Sequence, residues 1–437
     1  MFMRILEEYR TQNLGSLKAL ENASRFLPSG NTRSALYWQP FPLYLRRGEG
    51  SHNWDVDGNE RIDFNFNNTT LIMGHNHPKV VAAAKAQWEK GTVLGAPTET
   101  EPKLAEELTS RLKGADKVRF TPSGTEANMQ AVRVARAYSR KPLLAKCMGA
   151  YHGSWDALPL TPDAADIPPE VKNCTVHFPY NDAEAAEKVI KKHRNELAAV
   201  IVEPTMRDMT PKPGFLQSVR EATEDNDVLL VFDEVISFRL SHGGAQALYG
   251  VTPDVTTMGK IIGGGFPVGA YASTEEVLSP LSIPGAELPE TPSPMMGFSG
   301  TFNAHPLAMA AGLTVLKEMK PNVYESMAGM GDEMRDGLRK ALKGEGVDAH
   351  VGGVGSLFSV AWTDREVMDH ETSRTADRAL FNVFNLGMMN RGVFILGHPN
   401  VSAVQIKEDL EKALEAAGET VAEMKPLIRE RAPHLLK

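Results

Sequence analysis

The spacing of apolar positions changes about seventy residues into the chain. Before that point, short apolar stretches alternate with turn signals. An N-terminal helix is expected, then a turn at Pro28-Ser29-Gly30. Leu43-Tyr44-Leu45 and His52-Asn53-Trp54-Asp55 read as short strands around Gly48 and Gly50, with a further turn at Asp57-Gly58. From about residue 75, helical and strand periods alternate. Residues 125–140 place Ala127, Ala131, Val134, Ala135 and Tyr138 on one helical face. Val118-Arg119-Phe120 and residues 143–147 read as strands. Ala198-Ala199-Val200-Ile201-Val202 and Val228-Leu229-Leu230-Val231-Phe232 are unbroken apolar runs, as expected of strands covered on both faces of a parallel sheet. Helical stretches at 183–195 and 215–226 separate them. The pattern predicts an α/β fold. After about residue 310 one long helix is expected. A smaller α+β unit follows, with strands at 357–362 and 393–396 and a polar, charged closing helix at 407–425. The expected partition is residues 1–70 as an N-terminal segment and part of a small domain, 71–315 as a large domain, and 316–437 as the remainder of the small one.

Composition narrows the function. A chain of 437 residues, 42% of them hydrophobic, can bury a large core in two or three domains. The net charge is −8 and no basic block stands out, which argues against a nucleic-acid partner. Cys147 and Cys174 offer neither a disulfide framework nor metal-ligand spacing, so no metal is expected and a reducing compartment fits. Residues 1–20 carry Arg4, Glu7, Glu8, Arg10 and Lys18 without a long apolar run. That argues against a signal peptide or membrane anchor and makes the cytoplasm the expected location.

The polar signals cluster where strands should end, and open parallel sheets bind ligands outside those ends. Ser123-Gly124-Thr125 joins a strand to a helix. Its free N–H groups could cradle a phosphate, although a plain helix cap accounts for the same residues. Asp233 follows an apolar strand and needs a partner there. A protonated pyridine nitrogen would serve, and so would a structural salt bridge or cap. Lys260 lies in Thr257-Met258-Gly259-Lys260-Ile261-Ile262-Gly263-Gly264-Gly265. Apolar neighbours make a lysine amine nucleophilic, as Schiff-base chemistry requires. A Walker-type phosphate loop fails because the glycines follow the lysine and no Ser or Thr comes next. Tyr151, before His152, could stack on a flat ring or simply pack in the core.

At these residues the chain resembles the class III aminotransferases of pyridoxal-phosphate fold type I. It is similar to the branch around glutamate-1-semialdehyde aminomutase and the β-amino-acid and D-phenylglycine aminotransferases. The likeness runs from Gly30-Asn31-Thr32-Arg33 to Gly300-Thr301-Phe302 and is most specific from Asp233-Glu234-Val235 to Gly263-Gly264-Gly265. It implies a mostly parallel seven-stranded sheet in a large cofactor domain, and pyridoxal 5′-phosphate as cofactor. Lys260 would hold the cofactor as a Schiff base and shuttle the proton. Asp233 would keep the pyridine nitrogen protonated. Val235 and Tyr151 would flank the ring, with His152 beside it and Glu203 near the ring hydroxyl. Ser123, Gly124 and Thr125 would bind the phosphate, and Thr301 would reach the phosphate of a neighbouring subunit in a homodimer. The alternative for Thr301 is a cap on the helix beginning near Pro306. Arg33 would bind a substrate carboxylate. The reaction implied is transfer of an amino group from an amino acid (β-amino or aromatic among the choices) or an amine to a keto acid or aldehyde. An aminomutase-type isomerase is the alternative, a racemase a third choice, and a cofactor-binding protein without activity a fourth. The aminomutase carries a long glycine-rich gating loop after its Tyr-His-Gly. The corresponding 154–173 here is short and rich in Pro and Asp. Asn303-Ala304-His305-Pro306 also departs from the usual Gly-Asn-Pro, and Leu396-Gly397-His398-Pro399-Asn400 lacks the second arginine of the β-phenylalanine enzymes.

Overall fold

The computed structural model describes residues 2–206, 209–283 and 295–437. Its strands are β1 (Leu45–Glu49), β2 (His52–Asp55), β3 (Glu60–Asp63), β4 (Lys117–Thr121), β5 (Leu143–Cys147), β6 (Thr175–Phe178) and β7 (Leu197–Val202). They continue as β8 (Leu229–Asp233), β9 (Val255–Gly259), β10 (Gly269–Ser273), β11 (His350–Gly352), β12 (Ser359–Ala361) and β13 (Val393–Phe394). The chain divides into two compact units. One joins Met1–His77 to Glu325–Val367 and Glu371–Lys437; the other comprises Pro78–Tyr324 and Met368–His370.

The Pro78–Tyr324 unit is built on a seven-stranded sheet in the order β4-β10-β9-β8-β7-β5-β6. Strands β9, β8, β7, β5 and β6 run parallel, and β10 lies antiparallel to both β4 and β9. The mostly parallel α/β sheet expected from the sequence is present. Every residue of β5, β7, β9 and β10 is buried, and β7 accordingly reads as a continuous apolar run. Helix Gly124–Ser139 packs against β10, β9 and β7. Ser123 caps it, its hydroxyl accepting the Glu126 N–H at 3.2 Å, and Arg140 ends it in the left-handed conformation at φ 57°. Between these stops Ala127, Ala131, Val134 and Ala135 form the buried face.

Three expectations change. Strands β6 and β10 were not anticipated, because Thr175–Phe178 and the small residues of Gly269–Ser273 show no distinctive period. The single long helix after residue 310 is two, Pro306–Glu318 and Pro321–Gly344. Met319 leaves the helical region at ψ 82°, two residues before Pro321, which cannot donate a backbone bond to the preceding turn. The closing helix runs Lys407–Arg431, through Pro426, and is amphipathic rather than polar throughout. Its Leu410, Ala413, Ala417, Val421, Met424 and Ile428 join the core of its own unit with Phe64, Trp362 and Phe384. That unit also holds the four-stranded sheet β1-β2-β3-β13 and the β11-β12 pair.

Candidate active site

Strands β4, β5, β7, β8 and β9 point the same way, so their C-terminal ends share one edge of the sheet. The last residue of β8 is Asp233, 4% exposed. Its Oδ2 accepts from Asn128 Nδ2 at 2.7 Å and from His152 Nδ1 at 2.8 Å, and its Oδ1 accepts the Val235 N–H at 3.0 Å. Burial alone would raise its pKa. The bonds from His152, Val235 and Asn128, with the field of His152, hold it below the ordinary carboxylate range. The pKa of His152 is also lowered, by burial first and by the nearby Lys146 charge, against the pull of Asp233. The pair therefore sits as a carboxylate beside a neutral imidazole. His152 was expected beside a cofactor ring. It is buried and bonds the carboxylate through Nδ1.

The other strand ends close around this anion. Ser123 does cap its helix, as the plainer reading of that segment held. The first N–H groups of any helix lack intrahelical partners, which leaves those of Gly124 and Thr125 suited to an anion. A Cβ on Gly124 would lie 2.9 Å from both Val235 methyls, and one on Gly259 3.4 Å from Val235 Cγ1. The missing Cβ at Gly124 lets the helix start lie this close to Val235, and the end of β9 at Gly259 touches the same side chain. Gly153, at φ 99°, lies against Thr125, where a Cβ would meet its Oγ1 at 2.6 Å. Tyr151 is 53% exposed with its hydroxyl 3.2 Å from Ser154 Oγ, so it is not a core residue. Buried Glu203, just past β7, accepts the Tyr151 N–H at 2.9 Å.

Lys260 opens a 3-10 turn, Lys260–Gly263, directly after β9. Its backbone is left-handed at φ 50°, an unfavourable conformation for a residue with a Cβ. Ile261 and Ile262 plug into the core, and the lysine side chain is half-buried. Thr301 is exposed, and the N-cap of helix Pro306–Glu318 is His305, not Thr301. Arg33 belongs to the other unit. It is exposed, its backbone N–H bonds Asn31 Oδ1 at 2.8 Å, and its guanidinium bonds Asn67 Oδ1 at 2.6 Å.

Residues 35–412 match the family model for aminotransferase class III. The chain belongs to the class III aminotransferases. These are pyridoxal-phosphate enzymes of fold type I. A glutamate-1-semialdehyde 2,1-aminomutase from Brevibacillus brevis is 38% identical over 92% of this chain and 97% of its own length. An omega-transaminase from Sphaerobacter thermophilus is also 38% identical, with a TM-score of 0.87 over 94% of this chain and 98% of that one. A β-phenylalanine aminotransferase from Variovorax paradoxus is 30% identical, with a TM-score of 0.88 over 98% and 99%.

The residues of this class III aminotransferase fit its cofactor. A buried carboxylate retains an acceptor position on Oδ1 among the described residues, a helix start offers N–H groups, and glycines keep Val235 close to both. Three buried residues of this edge escaped sequence reasoning. Asn128 sits in the first turns of a helix where only its apolar neighbours form a pattern. Thr257, three residues before Lys260, donates to Asn128 Oδ1 at 2.6 Å. Lys146 donates to the carbonyls of Ala150 at 2.6 Å and Pro159 at 2.7 Å. Burial brings its pKa down to about 8, against the opposing pull of Glu203, Cys147 and Asp233. A lysine inside Leu143-Leu144-Ala145-Lys146-Cys147 was itself a signal, since such a charge must find partners.

Proposed function

We propose that this protein is an aminotransferase that moves an amino group from an amino acid or amine to a keto acid or aldehyde in two separate half-reactions. The observation that carries the reading is how the chain beyond Gly153 is anchored. Fully buried Lys146 holds the Pro159 carbonyl, the Thr175 hydroxyl holds the Ala157 carbonyl at 2.7 Å, and Leu158 is buried. An isomerase that passes one amino group within a single substrate must keep a free diamine from escaping between its two steps. A short segment pinned at Ala157 and Pro159 suits the exchange of donor for acceptor better than it suits a gate. Identity to relatives of the two kinds is level at 38%, so it does not decide.

Pyridoxal phosphate supplies a carbonyl that condenses with amines and a ring that accepts electrons released at the substrate carbon. The chain supplies the rest. Lys260 would hold the cofactor through Nζ and, once the substrate amine has displaced it, would carry the proton from the substrate carbon to the former carbonyl carbon of the cofactor. Asp233 faces the ring nitrogen as an anion, while Val235 and Tyr151 cover the ring. Glu203 fixes the Tyr151 backbone close to the ring hydroxyl. Ser123, Gly124 and Thr125 bind the phosphate, with Thr301 reaching it from the second subunit of a homodimer. Arg33 takes a substrate carboxylate through its planar fork of donors. The cytoplasm is the compartment we assign. Among the described residues no helix is long and apolar enough to cross a membrane.

Half-reaction spectra with a panel of amino donors, followed by a panel of keto acids and aldehydes, test the reading. Free exchange of donor and acceptor is expected. Efficient conversion of glutamate-1-semialdehyde to 5-aminolevulinate without added keto acid would overturn it in favour of the isomerase.

A further inference from the structure

A carboxylate offers about four acceptor positions, two on each oxygen. Asp233 uses them unevenly. Both positions on Oδ2 are filled by side-chain donors, Asn128 Nδ2 at 2.7 Å and His152 Nδ1 at 2.8 Å. Oδ1 receives one backbone bond, from Val235 at 3.0 Å, and among the described residues no second donor. The amide of Asn128 cannot flip without losing its partners. Its oxygen accepts from Thr257 Oγ1 at 2.6 Å, and its nitrogen also reaches the His152 carbonyl at 3.2 Å. All four residues, Asn128, His152, Asp233 and Thr257, are buried.

We propose that Asn128, locked by Thr257, is a positioning residue that fixes the Asp233 carboxylate so that Oδ1 is the oxygen presented to the cofactor's ring nitrogen. Thr257 donates to the amide oxygen, the amide then donates to Oδ2, and Oδ2 is saturated. The remaining acceptor position is on Oδ1. Thr257 lies on β9, three residues before Lys260, so the strand that delivers the lysine also sets the orientation of the carboxylate. This inference rests on the assignment of Asp233 to the ring nitrogen and gives roles to two residues that had none in it.

The test uses full-length enzyme reconstituted with pyridoxal phosphate labelled with nitrogen-15 in its ring. The readouts are the chemical shift of that nitrogen and the dissociation constant of the cofactor. In Asn128→Leu, the ring-nitrogen signal should move toward the unprotonated position, and cofactor affinity should fall about tenfold, as for a lost bond to a charged group. Thr257→Val removes one hydroxyl at nearly constant shape and should move the signal the same way by less. It serves as the readout if Asn128→Leu does not fold. An unchanged ring signal in the folded variants, with only a lower melting temperature, means a purely structural role and overturns the proposal. Asp233→Asn separates the two levels. If it abolishes the protonated signal while Asn128→Leu and Thr257→Val leave it intact, only the positioning role fails. If Asp233→Asn also leaves the signal intact, the assignment of Asp233 fails with it.

Discussion

Two lysines of the same sheet, Lys146 and Lys260, have apolar neighbours on both sides in sequence. Lys146 lies inside β5, wholly buried, with its ammonium given to two main-chain carbonyls. Lys260 lies past the end of β9, half-buried, on a left-handed backbone. Apolar flanks select both equally well. Their backbones separate them, since an extended residue within a strand can only brace its surroundings, whereas a residue thrown into a strained turn at a strand end can present its amine. The same contrast recurs among the arginines of the other unit. Arg61 is buried and bonds Asp55, Asn13 and the Met389 carbonyl, whereas Arg33 is exposed and its side chain bonds Asn67.

The largest expected effect breaks or upholds the comparison directly. Lys260→Ala should lower the half-reaction rate by on the order of ten-thousandfold, as for the loss of a positioned acid–base group. Lys146→Met should retain most of the rate. Borohydride reduction followed by peptide mapping should place the cofactor on Lys260, and a label on Lys146 would reverse the two roles.

The next effect sharpens the meaning of burial. Asp233 is nearly as buried as Lys146 but keeps an acceptor position. Asp233→Asn should slow the half-reaction by on the order of a thousandfold. A near-normal rate would make Asp233 as purely structural as Lys146.

Stability should respond at the other lysine. Burial brings the pKa of Lys146 down to about 8 in the folded chain, whereas in the unfolded chain it returns to the ordinary lysine value of 10.5. Between these values the unfolded state binds more protons, so this group should make stability rise with pH across that window and contribute no slope below it. Urea unfolding at several pH values should show the rise in the wild type and not in Lys146→Met. At pH 7 the variant should lose a few kcal/mol, on the order of two buried carbonyls left unsatisfied. The smallest effect concerns the arginines. Arg33→Ala should raise KM for amino acids by on the order of tenfold to a hundredfold, and leave simple amines nearly unchanged. Equal changes for both substrate classes would class Arg33 with Arg61.

The alternation of helices and strands was legible because β7, and β8 as far as Phe232, are buried between layers and therefore apolar without a break. The Asp233 and Lys260 segments were legible because charge at the end of an apolar run is costly and stands out. Asn128 and Thr257 were not. Both are small polar residues satisfied by one another across 129 positions of sequence, a pairing that local pattern does not encode. Strand β10 escaped for a similar reason, since Gly269, Ala270 and Ala272 are small in order to lie between two neighbours. Lys146 could have been found from its place within an apolar strand.

Strand β10 also sets a length. Its first residue, Gly269, pairs with Thr121 at the end of β4 on one side and with Gly259 at the end of β9 on the other. One strand spacing lies on each side, so Thr121, where β4 ends, and Gly259, where β9 ends, are held about 10 Å apart by the sheet itself. Loops can drift by fractions of an ångström, but a span counted in strands changes only by whole strands. Insertions in the surrounding loops can therefore reshape what enters this site, while the distance between these two strand ends stays that of a ruler two strands wide.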